Sequence, residues 1–287
     1  MRRLAVVTDS TANLPPEVIE EYGIPVIPLS IHWGDEQYIE GVTIDPETFY
    51  RWLRERPGLP KTSQPSVGAF TKFFQEAADT VGVDTVLGVF ISGKLSGTIS
   101  SAYQARESLA SLRPDLHIEI WDSRSVSMGT GLQVLVAARA AREGKTLEET
   151  LALLNRCQES LHTIFAVDSL ENLYRGGRIG GAARLLGTAL NLKPVLGIID
   201  GRVEPLEKVR SRRRSLRRIV ALAEERLEGE RPTELGLIYT QLDDTVVWFK
   251  DLVEDRLAPG KIYTSLLTPV VGTHGGPGTI GIAFYHL

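Results

Sequence analysis

The sequence predicts an α/β protein of two domains: a doubly wound parallel sheet, followed by a mixed or antiparallel sheet with helices. At 287 residues the chain is long for a single core. Strand-like and helix-like segments alternate through its first half, which is the order expected of right-handed parallel crossovers. The near-continuous apolar run Thr85–Ile91 is typical of a strand buried on both faces. We place the boundary near residue 160, so the predicted domains are 1–160 and 161–287.

The first half is divided by apolar runs, which predict strands, and by helical periodicity with capping residues, which predicts helices. Pro15 and Pro16 open the first helix, and Ser66 caps a later one. In chain order the predicted elements are strand Leu4–Val7, helix 16–22, strand Ile24–Ile31, helix 45–53, helix 66–81, strand Thr85–Ile91, helix 97–112, strand His117–Trp121, helix 128–142 and helix 146–160.

The second half changes character, because the two-residue turn signal Asp200-Gly201 joins two apolar runs and predicts an antiparallel hairpin. Ser211 is expected to cap a helix whose apolar positions repeat with the helical period. The other predicted elements are strand Thr163–Val167, helix 179–190, hairpin strands Val195–Ile199 and Val203–Val209, strand Leu235–Tyr239, helix 244–257, strand Lys261–Leu267 and strand Gly278–Tyr285.

Composition and charge argue against several classes of protein. Cys157 is the only cysteine, so neither an internal disulfide nor a cysteine-based zinc cluster is possible. The net charge of −4 argues against a general nucleic-acid binder. The first apolar run is too short for a secretion signal, and no stretch has the length of a membrane span. We expect a cytoplasmic protein without stable membrane insertion, present as a monomer or a weak dimer.

Catalytic motifs are incomplete or missing. Residues 88–95 approach a nucleotide-binding loop, but Leu95 stands where that loop has its metal-binding hydroxyl, and the spacer is predicted to be a strand. No G-x-S-x-G motif marks a serine nucleophile, and the histidines lack metal-ligand spacing. We therefore predict no catalytic residue, no metal and no cofactor.

Two hydroxyl-rich segments are candidates for a ligand site, and each has a structural alternative. Thr62 and Ser63 lie in a predicted loop before Ser66, and helix capping explains only Ser66. Ser96 and Gly97 follow the apolar strand directly. Ligands bind at that end of an open α/β sheet, and a helix N-terminus suits an anion. Ser96 can serve as the helix N-cap at the same time.

His274 lies in the glycine-rich segment 272–278, which is predicted to be a turn. A lone histidine is more often structural than functional. Here four glycines leave the backbone around the imidazole without side chains, as expected where a ligand approaches closely. If protonated, His274 would be a donor that completes an anion site with the two hydroxyl-rich segments.

Positive charge is concentrated in residues 175–178 and 210–218. The default interpretation is a solvated helix face, and the alternative is a surface for phosphate or for an acidic partner. No aromatic stacking residues accompany these arginines, so nucleic acid is not an expected partner.

Seven short motifs make the chain similar to the DegV family over essentially all of its length. Each motif alone is weak, but their order is highly specific. They are residues 7–11 (VTDST) with 14–15, 62–66 (TSQPS), 92–98 (SGKLSGT), 168–170 with Leu173, 176–179 (GGRI), 193–195 (KPV) and 272–278 (GTHGGPG).

The resemblance implies a two-domain protein that holds a long-chain fatty acid such as palmitate at the domain junction and is not itself an enzyme. Characterised family members are the fatty-acid-carrying subunits of bacterial fatty acid kinase, so the implied partner is a separate ATP-binding subunit that forms an acyl phosphate for phospholipid metabolism. The implied ligand-binding residues are Thr62, Ser63, Ser96, Gly97 and His274.

Arg178 and Arg210 match family arginines that are expected to serve the kinase encounter or the acyl-phosphate product. Gly93 stands where many relatives have a second serine, so Ser96 is a safer ligand residue than Ser92.

The hydrocarbon needs an apolar slot, for which helix 179–190 and four further side chains are candidates. Ordinary core packing is the alternative for each of them. The candidates on this helix are Leu185, Leu186 and Leu190, and the further wall residues are Phe165, Ile198, Ile282 and Phe284.

Two rival functions remain open at this point. One is a stand-alone phosphotransferase that uses Lys94 and the arginines, and the other is a nucleic-acid-associated regulator that uses residues 210–218.

Overall fold

A computed structural model describes residues 4–187 and 192–287, and within these ranges the strands form three sheets. In chain order the strands are β1 (Ala5–Asp9), β2 (Val26–Ile27), β3 (Ser30–Trp33), β4 (Glu36–Ile39), β5 (Lys61–Ser63), β6 (Thr85–Phe90), β7 (His117–Asp122), β8 (His162–Ala166), β9 (Val195–Ile199), β10 (Arg202–Glu207), β11 (Glu234–Tyr239), β12 (Lys261–Leu266) and β13 (Ile280–Tyr285).

The helices connect these strands, and none in the described part of the chain is long and apolar enough to cross a membrane. Two 3-10 turns accompany them, Ser10–Ala12 and Gly180–Leu185. In chain order the helices are α1 (Pro16–Tyr22), α2 (Pro46–Glu55), α3 (Val67–Val81), α4 (Thr98–Leu112), α5 (Met128–Arg142), α6 (Leu147–Ser160), α7 (Glu171–Arg175), α8 (Arg212–Leu227), α9 (Asp244–Leu257) and α10 (Pro269–Gly275).

The first sheet is parallel throughout, in the order β2-β1-β6-β7, and helices cover both of its faces. Successive residues of β1 point to opposite faces. Val6 packs in one core with Leu135 of α5, whereas Val7 packs in another with Phe74 of α3 and Ala102 of α4. The predicted doubly wound parallel sheet is therefore confirmed.

The second sheet has the order β10-β9-β8-β13-β11-β12, and only the β11–β12 pair is parallel. This confirms the predicted mixed sheet. Asp200 and Gly201 both have positive φ, 47° and 74°, which is the backbone that a tight hairpin turn requires. The predicted β9–β10 hairpin is therefore confirmed as well.

Helix α5 joins the two sheets. It contacts β1 and β6 of the first sheet and β11 and β13 of the second, and all but two of its residues are buried. Its Arg139 forms a bidentate ion pair with Glu234, a carboxylate that also accepts hydrogen bonds from Tyr263 and Tyr285 at 3.0 and 2.8 Å. The junction therefore has a fixed helix at its centre, although the boundary at residue 160 stays a prediction.

The third sheet, in the order β4-β3-β5, is antiparallel and was not predicted. The predicted strand Ile24–Ile31 is wrong as one element, because β2 and β3 belong to different sheets. Pro28 lies between them, and a proline lacks the N–H that would continue a ladder. Thr62 and Ser63, predicted to lie in a loop, belong to strand β5.

Two glycine-rich segments also differ from prediction. Residues 180–185 form a 3-10 turn instead of the predicted α-helix 179–190, of which residues 188–190 lie outside the described residues. Gly180 has φ of 52°, and a Cβ there would lie 2.3 Å from the carbonyl oxygen of Val203. The predicted turn 272–278 is wrong in its first part, since residues up to Gly275 belong to α10, which Pro269 begins at its first turn.

Candidate functional site

A narrow cavity lies between the carboxyl end of the first sheet and one face of the second. The cavity has a volume of about 90 Å³. A single water needs about 10–15 Å³, so the cavity has room for a slender ligand. Its wall is mostly apolar and is formed by Leu29, Thr62, Ser63, Gln64, Ile91, Leu95, Ser96, Val126, Ser127, Thr163, Phe165, Leu173, Arg178, Ile198, Val203, Ile238, Leu267, Val270, Val271, His274, Gly275 and Thr279.

Thr62 and His274 meet on this wall from two different elements, β5 and α10. Thr62 Oγ1 lies 2.8 Å from His274 Nε2, although 212 residues separate them in the chain. Ser63 also lines the cavity, and its Oγ lies 2.8 Å from Nε2 of His32 on β3. The third sheet therefore brings two of the predicted ligand residues to the cavity and holds them there by histidine contacts.

The imidazole of His274 is neutral at neutral pH. Burial, together with the positive charge of Arg178, lowers its pKa to about 4. The expectation of a protonated donor is therefore not supported, because both causes disfavour the charged ring. Nδ1 is buried and has no hydrogen-bond partner among the residues that the structure describes. With the proton on Nδ1, the ring can accept from Thr62 and donate to a ligand.

Gly176 makes room for this imidazole. It caps α7, and a Cβ added to it would lie 2.2 Å from His274 Nδ1. A side chain at that position requires the histidine to move. The backbone φ of Gly176 is −75°, which any residue can adopt, so conformation does not require a glycine here. The space needed by the His274 ring does.

Ser96 lines the cavity in the turn before α4, and its Oγ lies 2.8 Å from Thr98 Oγ1. The predicted role of Ser96 as helix N-cap is wrong, since Gly97 occupies that position and supplies no side-chain bond. Gly97 itself is not on the cavity wall. A Cβ there would lie 2.8 Å from Nε2 of Gln64, a wall residue that was not predicted.

Of the two arginines, Arg178 is at the site and Arg210 is not. Arg178 Nε donates to the carbonyl of Leu95 at 3.0 Å, and its NH1 donates to that of Gly176 at 2.8 Å. These bonds fix the guanidinium on the cavity wall beside His274. Arg210 is exposed and does not line the cavity.

A second, polar cleft adjoins the cavity on its outer side. Thr62, Arg178 and His274 belong to the walls of both. The remaining wall residues of this outer cleft are Leu59, Pro60, Lys61, Asn172, Arg175, Gly176 and Thr273. Lys61, Arg175 and Arg178 give the outer cleft a positive character, and its acidic neighbour Glu171 pairs with Arg175.

Four of the six arginines in the 210–218 segment contact other side chains, and one of these contacts is Arg212 with Asp168. Arg218 pairs with Glu207 and Glu225, and Arg213 and Arg217 lie over the ring of Trp248. Because these arginines already have partners, the segment is better interpreted as an ordinary solvated helix face than as a free basic patch.

The apolar wall agrees with prediction only in part. Phe165 and Ile198 line the cavity. Ile282 and Phe284 do not, because they are fully buried against α8 and α9 in a separate core. Leu185 and Leu186 are likewise not on the wall, and Leu190 lies outside the described residues.

Two buried carboxylates, neither predicted, hold backbone groups of the wall. Asp9 accepts from the amide of Ile91 at 2.9 Å, and Glu40 accepts from that of Val270 at 2.6 Å. Burial raises the pKa of Asp9, and it raises that of Glu40 to about 7. Ser92, the residue set aside in favour of Ser96, is also structural, since its hydroxyl donates to the carbonyl of Gly201 at 2.9 Å.

Comparison with known proteins agrees with this architecture. A DegV domain-containing protein of Caldanaerobacter subterraneus is 34% identical over 284 residues, which cover 99% of each chain. A solved structure described as fatty acid binding of a DegV family protein from Thermus thermophilus superimposes with a TM-score of 0.91, at 35% identity and with both chains covered completely. A stearic acid-binding protein from Eubacterium ventriosum superimposes with a TM-score of 0.90 at 26% identity, over 100% of this chain and 98% of that one.

A family model described as "Uncharacterised protein, DegV family" matches residues 3–287, which is nearly the whole chain. The match, the full-length relatives and the shared fold agree with the seven motifs found in the sequence. The chain belongs to the DegV family.

Proposed function

We propose that this protein binds a long-chain fatty acid, with the hydrocarbon in the narrow cavity and the carboxylate beside Thr62, Ser96 and His274. The observation that carries the proposal is the single cavity wall that combines many apolar side chains with this group of neutral donors. Relatives with the same fold are described as fatty-acid-binding proteins, which supports the same ligand class here.

A fatty acid needs an apolar surface for its hydrocarbon and hydrogen-bond donors for its carboxylate, and the cavity wall offers both. Burying about 15 carbons at about 0.8 kcal/mol each gives on the order of 12 kcal/mol before the costs of association. An ionised carboxylate cannot be buried without hydrogen bonds. The Ser96 hydroxyl would supply one of them, and the Thr62–His274 pair would supply another. The donor of that pair is His274 Nδ1 when Thr62 donates to Nε2, or Thr62 Oγ1 when Nε2 donates to Thr62. Neither arrangement needs a permanent ion pair.

We further propose that the carboxylate is presented to a separate kinase subunit that phosphorylates it. The outer cleft supports this step, because Thr62, Arg178 and His274 border both the cavity and the cleft. A carboxylate beside them would lie next to a positively charged opening that suits a phosphate group. Neutral donors would position the carboxylate while leaving an oxygen free to attack.

The head-group assignment is tested at Thr62. Thr62→Val keeps the shape and removes the hydroxyl, whereas Thr62→Ser keeps the hydroxyl. We expect delipidated Thr62→Val to bind palmitic acid at least about ten-fold more weakly than the wild type, the loss of one charge-assisted hydrogen bond. Thr62→Ser should bind within a few-fold of it. Equal affinity of all three proteins would contradict the assignment.

The tail assignment is tested at neighbouring positions of β9. Ile198 lines the cavity, whereas Ile199 is 45% exposed and points to the opposite face. Ile198→Trp should fill the cavity and abolish the lipid that co-purifies, as read by mass spectrometry of an organic extract. Ile199→Trp is the matched control and should retain that lipid. Retention by both variants would contradict the cavity as the binding site.

The kinase role is tested by incubating the palmitate-loaded protein with ATP and magnesium. We expect acyl phosphate only when the ATP-binding subunit of a bacterial fatty acid kinase is added. Turnover by the protein alone would favour the stand-alone phosphotransferase, for which Lys94 is exposed but residues 88–90 lie within β6. A salt-dependent gel shift with DNA or RNA, which we do not expect, would favour the regulator.

A further inference from the structure

Ser127 differs from the other hydroxyl groups of the cavity wall. Within the described residues, the wall carries the hydroxyls of Thr62, Ser63, Ser96, Ser127, Thr163 and Thr279. Five of these have a hydrogen-bond partner inside the protein. The sixth, Ser127 Oγ, is buried and has no partner in the ranges 4–187 and 192–287.

Local structure does not use this hydroxyl. Ser127 occupies the N-cap position of α5, where a serine side chain usually accepts an amide hydrogen bond, yet it makes no such bond. Only its carbonyl oxygen is engaged, by the amides of Thr130 and Gly131 at 2.8 and 3.0 Å. The residue is 1% exposed and has φ of 55°, a conformation that favours glycine.

Other hydroxyls close to Ser127 in the chain or on the wall do have hydrogen-bond partners. Thr163 Oγ1 and Ser125 Oγ lie 3.0 Å apart, and Ser123 Oγ lies 2.9 Å from Thr130 Oγ1. These pairs satisfy one another. A buried polar group without a partner is unfavourable, and in a ligand cavity its partner is expected on the ligand.

Ser127 makes no hydrogen bond with the residues of the carboxylate site described above. Thr62, Ser96 and His274 bond to one another or to Thr98, and none of their hydrogen bonds involves Ser127. The residue belongs to the loop after β7, whereas those three belong to β5, the turn after β6 and α10. With the carboxylate served by those three residues, the partner left for Ser127 in a bound fatty acid is an atom of the chain.

We propose that Ser127 is a specificity residue for fatty acids that carry an oxygen atom on the acyl chain, such as hydroxy acids. A ligand hydroxyl can donate to Ser127 Oγ or accept from it, which satisfies both groups away from water. This inference rests on the proposed fatty-acid function and adds the ligand class within it. Among the described residues of the wall, the other hydroxyls already have partners within the protein, so an oxygen at another depth would gain less.

The test uses positional isomers of hydroxystearic acid, which share one composition and differ only in the carbon that bears the hydroxyl. Their binding to delipidated protein is measured by competition with a fluorescent fatty acid, and stearic acid is included as the unsubstituted probe. We expect one isomer, or two adjacent ones, to bind the wild type about ten-fold tighter than the remaining isomers, the effect of one hydrogen bond.

Ser127→Ala and Ser127→Gly should remove this preference, so that all isomers bind each variant within about two-fold of one another. The glycine variant also relieves the positive φ, so it keeps the test valid if the alanine variant folds poorly. Thr163→Val is the matched control on the same wall, and it should preserve the preference among isomers because Thr163 already pairs with Ser125.

Each of the following results would overturn the inference. Equal affinity of the wild type for every isomer would show that no chain oxygen is recognised. An equal loss for all acids in Ser127→Gly would make Ser127 part of the carboxylate site. Tighter stearic acid binding by Ser127→Gly with no isomer preference in the wild type would indicate that a water is the partner. If the wild type bound neither stearic acid nor any isomer, the proposed function itself would fail as well.

Discussion

Replacing the buried carboxyl of Glu40 by an amide should change how the stability of the protein depends on pH. Glu40 is 4% exposed, and its Oε1 accepts a hydrogen bond from the amide of Val270 in the first turn of α10. Burial raises its pKa from 4.5 to about 7, an effect that Asp9 increases and that Ser10 and the Val270 amide oppose. A glutamine at this position can still accept the hydrogen bond from the Val270 amide, but its side chain cannot ionise.

The expected difference follows from proton binding in the two states. Below pH 4.5 the carboxyl is protonated in both the folded and the unfolded chain, so its full contribution to stability is present. Between 4.5 and about 7 only the folded protein keeps the proton, and stability falls as the pH rises. The change in pKa corresponds to about 3 kcal/mol of unfolding free energy.

Urea unfolding of wild type and Glu40→Gln across this pH range is the assay. The two proteins should be similarly stable at the acid end, and the variant should become more stable by up to about 3 kcal/mol above neutral pH. The difference between the two curves isolates Glu40, since Asp9, whose pKa is also raised, is present in both. Glu107→Gln, an exposed change on α4, is the control. Parallel curves for wild type and Glu40→Gln would refute the reasoning.

Three further changes have expected outcomes. Arg178→Met removes the positive charge that disfavours a protonated His274, so the pKa of His274 should rise from about 4. It should stay below its ordinary 6.5 because the ring remains buried. An unchanged titration of His274 by NMR would contradict this. Gly176→Ala should displace the His274 ring and weaken palmitic acid binding at least about ten-fold, whereas Gly68→Ala, which meets no atom within 4 Å, should not. Burial raises the pKa of Cys157 to about 12, so native protein should resist iodoacetamide at mildly alkaline pH and urea-unfolded protein should not; rapid native labelling would contradict the burial.

Elements whose signals are local could be predicted from the sequence. Helix α6 has the capping box of Thr146 and Glu149, β6 is a long apolar run, and the β9–β10 hairpin has its turn at Asp200-Gly201. Each of these features depends on residues a few positions apart. The parallel and mixed sheets followed from the order of such elements.

Features that depend on distant residues could not be predicted in this way. The third sheet consists of strands of three or four residues, and β4 and helix α2 lie between β3 and β5 in the chain. Helix α10 is rich in glycine because Gly272 must leave room for the hydroxyl of Tyr50, and this made the segment resemble a turn. The composition of a segment does not show which tertiary neighbour requires its glycines.

In the candidate site, too, residues with local sequence signals could be predicted, whereas those defined by tertiary contacts could not. Thr62, Ser96 and His274 stood out through short polar motifs, and the structure brings all three to one cavity wall. Glu40 and Ser127 were missed because burial and the absence of a hydrogen-bond partner are properties of the folded protein. Arg210 was predicted from its match to a family arginine, and it lies away from the cavity.

A crystal structure of the delipidated protein with added palmitic acid tests the central claim most directly. We expect the carboxylate to lie within hydrogen-bonding distance of Thr62 Oγ1 or His274 Nδ1, and the hydrocarbon to pass between Ile91, Phe165 and Ile238. Palmitate bound with its chain outside this cavity, or with its carboxylate in contact with none of the proposed donors, would contradict the account.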